Sequence, residues 1–139
     1  MATLPCLQCT FSVNTASGVF LTETRVRLLE SIERCGSISG AARAMAMSYK
    51  WTWDEVNAMN RQAPGPLVVR NVGGRRGGGT SLTPYGVRVV AFYRALAREY
   101  QDAVEALSEH VLTDARAVNF RYLLRRRALA GTWHGREAA

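Results

Sequence analysis

The stretch NVGGRRGGGTSLTPYG, residues 71–86, constrains the fold of this chain more than any other. Glycine loses the most backbone freedom on ordering, so glycines on both sides of Arg75 and Arg76 need a structural reason. A phosphate-cradling P-loop is not that reason. The register supplies Gly73, Gly78, Gly79 and Thr80, but the lysine that would reach the phosphates is missing. A dinucleotide-binding turn opens directly into a helix, whereas here TSLT intervenes as a short β-like stretch. The preceding PLVVRNV also reads as a strand. Strand, glycine loop and strand make a hairpin with an adaptable, charged tip. Thr83 and Pro84 then supply an N-cap and a proline at the first helical position, opening a long helix over about residues 84–110.

Upstream, Leu7, Cys9, Phe11 and Val13 alternate with Gln8, Thr10 and Ser12, the pattern of a half-buried strand over residues 7–13. That strand turns Cys9 into the core and leaves Cys6 off its face. NTASG is a turn cluster and VFLT returns, so the chain begins with a hairpin. Thr22 caps a helix running to about Arg34, with Val26, Leu29 and Ile32 on one face, and Gly36 ends it. Ser37 or Ser39 caps a short helix, GAARAMA, whose small residues permit close packing. Ser48 caps a third, YKWTWDEVNAMN. On its helical wheel Thr52, Trp53, Val56, Met59 and Asn60 share the inward face, while Lys50, Trp51, Asp54, Asn57 and Arg61 face outward. APGP breaks the helix.

Composition bounds the function. The 139 residues suit one domain, or one domain with an appendage, and 47% hydrophobic content is enough for a core. No apolar run approaches the ~20 residues that span a bilayer, and MATLPCLQCTFSV lacks the charged and apolar regions of a signal peptide. The expectation is a cytoplasmic protein without membrane association. Net charge is +7, and Lys50 is the single lysine among 18 basic residues. Such a balance favours a polyanion, nucleic acid ahead of an anionic membrane. Cys6 and Cys9 form a C-x-x-C with no second pair, and His110 and His134 lie far off, so a buried hydrophobe accounts for Cys9 better than zinc or redox chemistry. With no nucleophile–base pair, no metal cluster and no complete nucleotide loop, we expect neither an enzyme nor a cofactor.

The order of elements is hairpin, helix, short helix, turn, helix, strand, glycine loop, strand, long helix. The expected fold is mainly α with small β-hairpins: a winged helix-turn-helix with a long C-terminal dimerisation helix. In that fold the third helix enters the DNA major groove. Its start presents Ser48, Tyr49 and Lys50 together with unpaired backbone N–H groups that favour a phosphate. The glycine loop becomes the tip of the wing, lying on the backbone or in the minor groove with Arg75 and Arg76. The candidate DNA-contacting residues are Ser37, Ser39, Ser48, Tyr49, Lys50, Trp51, Arg70, Arg75, Arg76 and Thr80. Trp51 allows base stacking, a thymine-methyl contact or packing on the short helix, and all three stay open. Arg70 suits a phosphate or an acidic neighbour better than a base. Asp54 completes a polar face.

RVRLLESIERCGSISGAARAMAMSYKWTWDEVNAMN followed by PLVVRNVGGRRGGGTSLTPYGVRVVAFYRAL resembles the N-terminal DNA-binding domain of the molybdate-responsive ModE regulators, winged helices related to the LysR type. The resemblance covers about residues 7–107 and rests on GSIS, MSYK with Trp53 and Asp54, NAMN, the glycine-rich wing and LTPYG. It implies a dimeric, cytoplasmic transcriptional regulator of a palindromic operator, with Ser48 through Asn60 as recognition helix. Two departures stand out. Trp51 and Thr52 occupy positions where the family usually has small residues. Full-length ModE proteins continue into paired molybdate-binding domains, to which nothing here maps, so molybdate is not an expected ligand.

In the long helix Val90, Tyr93, Ala97, Tyr100, Val104, Leu107 and Val111 alternate spacings of three and four, a coiled-coil-like seam suited to a second copy. Residues 1–111 are thus the expected DNA-binding domain and residues 112–139 an arginine-rich tail. Two functions follow: a sequence-specific regulator binding double-stranded DNA as a homodimer, or a non-catalytic protein-interaction module on the same scaffold.

Overall fold

The computed structural model describes residues 8–73 and 78–113, with side chains to residue 108. The chain divides into two compact units, Thr10–Arg98 and a second made of the residues before and after it.

Within the first unit, β1 (Val13–Thr15) and β2 (Gly18–Leu21) pair antiparallel, with a bulge between Val13 and Asn14. β1 is shorter and later than the strand expected over 7–13. Cys9 precedes it and is exposed, so the inward placing of Cys9 fails. Phe11 alone of that stretch is fixed by an aromatic partner, stacking on Tyr93 at 4.8 Å between ring centroids.

Local capping sets the next elements. Thr22 Oγ1 accepts the Arg25 N–H to start α1 (Glu23–Cys35), and Gly36 ends it in the left-handed conformation at φ 69°. The choice between Ser37 and Ser39 falls to Ser37, which accepts from the Gly40 N–H and starts α2 (Ile38–Ala44) earlier than expected. Ser48 accepts from the Trp51 N–H and starts α3 (Tyr49–Gln62). β3 (Val68–Arg70) pairs antiparallel with β4 (Thr80–Leu82), Val68 opposite Leu82 and Arg70 opposite Thr80. Thr83 caps α4 (Pro84–Thr113), its Oγ1 accepting the Gly86 N–H at 2.9 Å and donating to the Pro66 carbonyl.

The core gathers Leu21, Val26, Leu29, Ile32, Val56, Met59, Leu67, Val89 and Tyr93 between α1, α3, the two hairpins and the start of α4. Polar clasps sit around it. Arg25 joins Glu55 at 2.6 Å and donates to the carbonyls of Val19 and Phe20, tying α1 to α3 and β2. Asn60 accepts from the N–H groups of Leu67 and Val68 and donates to the Val68 carbonyl, standing in for a strand neighbour where β3 begins. Arg94 forks across Glu30 and reaches Glu23, fastening α4 to α1.

Candidate nucleic-acid interface

α2, the turn after it and α3 bring the short helix against the start of the longer one, and the β3–β4 hairpin stands beside them. Thr80 donates its N–H to the Gly36 carbonyl at 2.8 Å, and the Leu82 N–H reaches Glu33, so the hairpin hangs from the end of α1. At its narrowing, a Cβ on Gly78 would collide with the Asn71 carbonyl. Here the glycine is a close-approach requirement, not spare flexibility. The tip residues Arg75 and Arg76 fall outside the described residues.

Between α2, α3 and the hairpin lies an open cleft of about 460 Å³ lined by Ser37, Ser39, Tyr49, Arg70, Asn71 and Thr80 among others. Tyr49 is 51% exposed at the tip of α3. Lys50 projects into solvent and forms an i,i+4 ion pair with Asp54 at 2.6 Å, so Asp54 partners Lys50 and stands on the outward face. Ser39 is exposed on the cleft wall. Ser37 is there too, while Ser48 is not among the lining residues, and the hydroxyls of both already serve as helix caps.

Three expectations change. Trp51 is half-buried and packs against the core cluster, so it does not stand clear on the outward face. Trp53, expected in the core, lies instead under the Arg70 guanidinium, 4.5 Å from ring centroid to guanidinium carbon. Thr80 is only 8% exposed, and its contribution is the backbone bond to Gly36. A helical wheel shows the apolar arc of α3 but not where β3 crosses it, and that crossing assigns the two tryptophans. The Trp53–Arg70 pair had no local signal for the same reason.

The seam also divides. Tyr93 is 1% exposed, stacks on Phe11 and donates its hydroxyl to the Phe11 carbonyl, so it is not offered to a second copy. Val90 and Ala97 pack on the same core. The exposed large apolar side chains of this part of α4 are Val87, Phe92, at 57%, and Leu96, at 37%, none of them in the expected seam. Tyr100, Val104 and Leu107 lie beyond Arg98 in the other unit, where Tyr100 is exposed; the side chain of Val111 is outside the described ones.

Capped helices joined by a short turn, beside a two-stranded hairpin suspended from the first helix and ahead of a long helix, define a winged helix-turn-helix protein. Residues 24–87 match the family of bacterial regulatory helix-turn-helix proteins, lysR family. The chain is 57% identical over 100 residues to the molybdenum transport protein ModE of Azotobacter vinelandii, covering 72% of this chain and 37% of that one. It is 42% identical over 91 residues to the DNA-binding transcriptional dual regulator ModE of Escherichia coli K12, covering 66% of this chain and 35% of that one. A solved structure of the full-length LysR-type regulator LysG of Corynebacterium glutamicum, with bound effector Arg, aligns at TM-score 0.48 and 22% identity over 66% of this chain and 29% of that one. Over residues 24–87 the chain is therefore similar to the LysR-type helix-turn-helix family, and over about 100 residues it is similar to ModE. The chain spans little more than a third of the length of these curated relatives.

No helix among the described residues is long and apolar enough to cross a membrane.

Proposed function

We propose that this chain is a transcriptional regulator that binds double-stranded DNA through α3 and the β3–β4 wing. The observation that carries the reading is the open cleft flanked by the exposed start of α3, with Tyr49 and Lys50, and by Arg70 on the wing. α3 lies in the major groove, Tyr49 and Lys50 near base edges, while Ser39, Arg70, Arg75 and Arg76 meet the backbone. A net charge of +7 draws the duplex in from solution. The working form is a cytoplasmic homodimer. Its two α3 helices read half-sites about one helical turn, ~34 Å, apart. Molybdate has no part in this reading; added molybdate should change neither melting temperature nor DNA affinity at physiological ionic strength.

Selection of duplexes from a random pool, followed by affinity measurement against salt, tests it. Lys50→Ala should cost about 1–3 kcal/mol at the best sequence and relax preference at one base pair. Equal loss on all sequences would move Lys50 to the backbone. Failure to enrich or retain any duplex would refute the reading.

A further inference from the structure

The position of Trp53 fits neither the core nor the outward face of α3. It is half-buried on the flank nearest the wing, and its ring carries the guanidinium of Arg70, the last residue of β3. The structural arginines of this fold are held by carboxylates, Arg25 by Glu55 and Arg94 by Glu23 and Glu30. No carboxylate among the described residues lies within ion-pair distance of Arg70, which is exposed and lines the cleft with Ser39, Tyr49 and Asn71. The distinction is chemical. A carboxylate occupies the N–H fork and cancels the charge, whereas an aromatic face orients the plane and leaves fork and charge available.

We propose that Trp53 is a positioning residue that holds Arg70 ready for a backbone phosphate of DNA entering the cleft. Arg70 makes the charge-assisted contact and Trp53 reduces the ordering it requires on binding. Because Trp53 belongs to α3 and Arg70 to the wing, the stack also fixes the recognition helix relative to the strand beside it. The proposal rests on the DNA-binding reading above.

The test uses the full chain and a selected duplex, with affinity measured by fluorescence anisotropy over a salt series and folding followed by thermal melting. Arg70→Ala should lower the slope of log affinity against log salt by about one. Trp53→Leu should weaken binding about two- to fivefold, the value of an exposed cation–π contact, and Trp53→Tyr should restore most of it. In the Arg70→Ala background Trp53→Leu should add nothing. Equal losses in both backgrounds, no rescue by tyrosine, or an unchanged slope in Arg70→Ala would overturn the assignment. If Trp53→Leu fails to fold, Trp53→Phe provides the comparison: its weaker ring should lower affinity in the wild-type background and change nothing in the Arg70→Ala background, and an equal loss in both counts against the pair. A wild-type chain that binds no duplex fails the DNA-binding reading itself; wild-type binding with indifferent variants fails only the Trp53–Arg70 pairing.

Discussion

Gly86 sits where α4 crosses the backbone of Leu67, and a Cβ there would collide with the Leu67 carbonyl oxygen. That oxygen cannot retreat freely, because it accepts the Thr83 N–H at 2.8 Å and lies within reach of the Thr83 hydroxyl. Helix propensity alone favours alanine over glycine by about 1 kcal/mol. The collision opposes it, and forced overpacking typically costs about 1–3 kcal/mol. Gly86→Ala is therefore expected to destabilise the domain in urea unfolding, against its propensity; a neutral or stabilised variant would show that Leu67 can yield. Other residues at this corner are equally committed. Asn60 uses its amide on three backbone groups of the segment entering β3, so its place in α3 is structural.

At the scale of elements, the α1–α4 joint is an ion-pair clamp. Hydrogen bonds from Arg94 hold the Glu30 carboxyl below its ordinary value of 4.5, against a smaller opposing effect of burial, with Arg34 and Arg27 adding attraction. A carboxyl depressed in the folded state contributes stability above the unfolded pKa, and that contribution is lost as pH falls through the folded one. The Arg94 guanidinium is raised and stays charged throughout. Glu30→Gln should therefore melt lower than wild type at pH 7, with the gap closing as pH drops below about 4. Melting curves from pH 2 to 7 check this, and a gap that persists at the acid end would mean Glu30 acts by packing. Burial raises the Tyr93 phenol, the opposite case: its contribution holds at neutral pH and fades only above the ordinary value of 10.0.

At the scale of the whole molecule, α4 offers more apolar surface than its own domain covers. Tyr93, Val89 and Val90 meet the core, and Phe92 and Leu96 remain on the adjoining surface. Beside Phe92 an apolar groove runs over Phe20, Leu21, Tyr85 and Val89 to Arg88. The exposed Phe92 and Leu96 next to such a groove suit a second copy better than solvent. Phe92→Asp with Leu96→Asp should give monomers in analytical ultracentrifugation while leaving the melting temperature of the domain nearly unchanged. Tyr93→Ala should instead unfold it, since removing a buried aromatic costs about 3–5 kcal/mol. A dimer that survives the double change would place the interface elsewhere.

Features under short-range control are legible directly in the chain. Thr22, Gly36, Ser48, Thr83 and Pro84 bound their helices because caps act within one turn, and the hairpin around the glycines follows from strand patterns on either side of it. The hairpin-and-helix order carried the winged fold with it. The tertiary structure decided which neighbour each apolar arc meets. Periodicity defines an arc on a helix, but two arcs of equal hydrophobicity are told apart only by the elements that cross them. So Trp51 went to the core and Trp53 to Arg70, Tyr93 went inward and Phe92 outward, and Cys9 fell off the end of a strand too short to hold it.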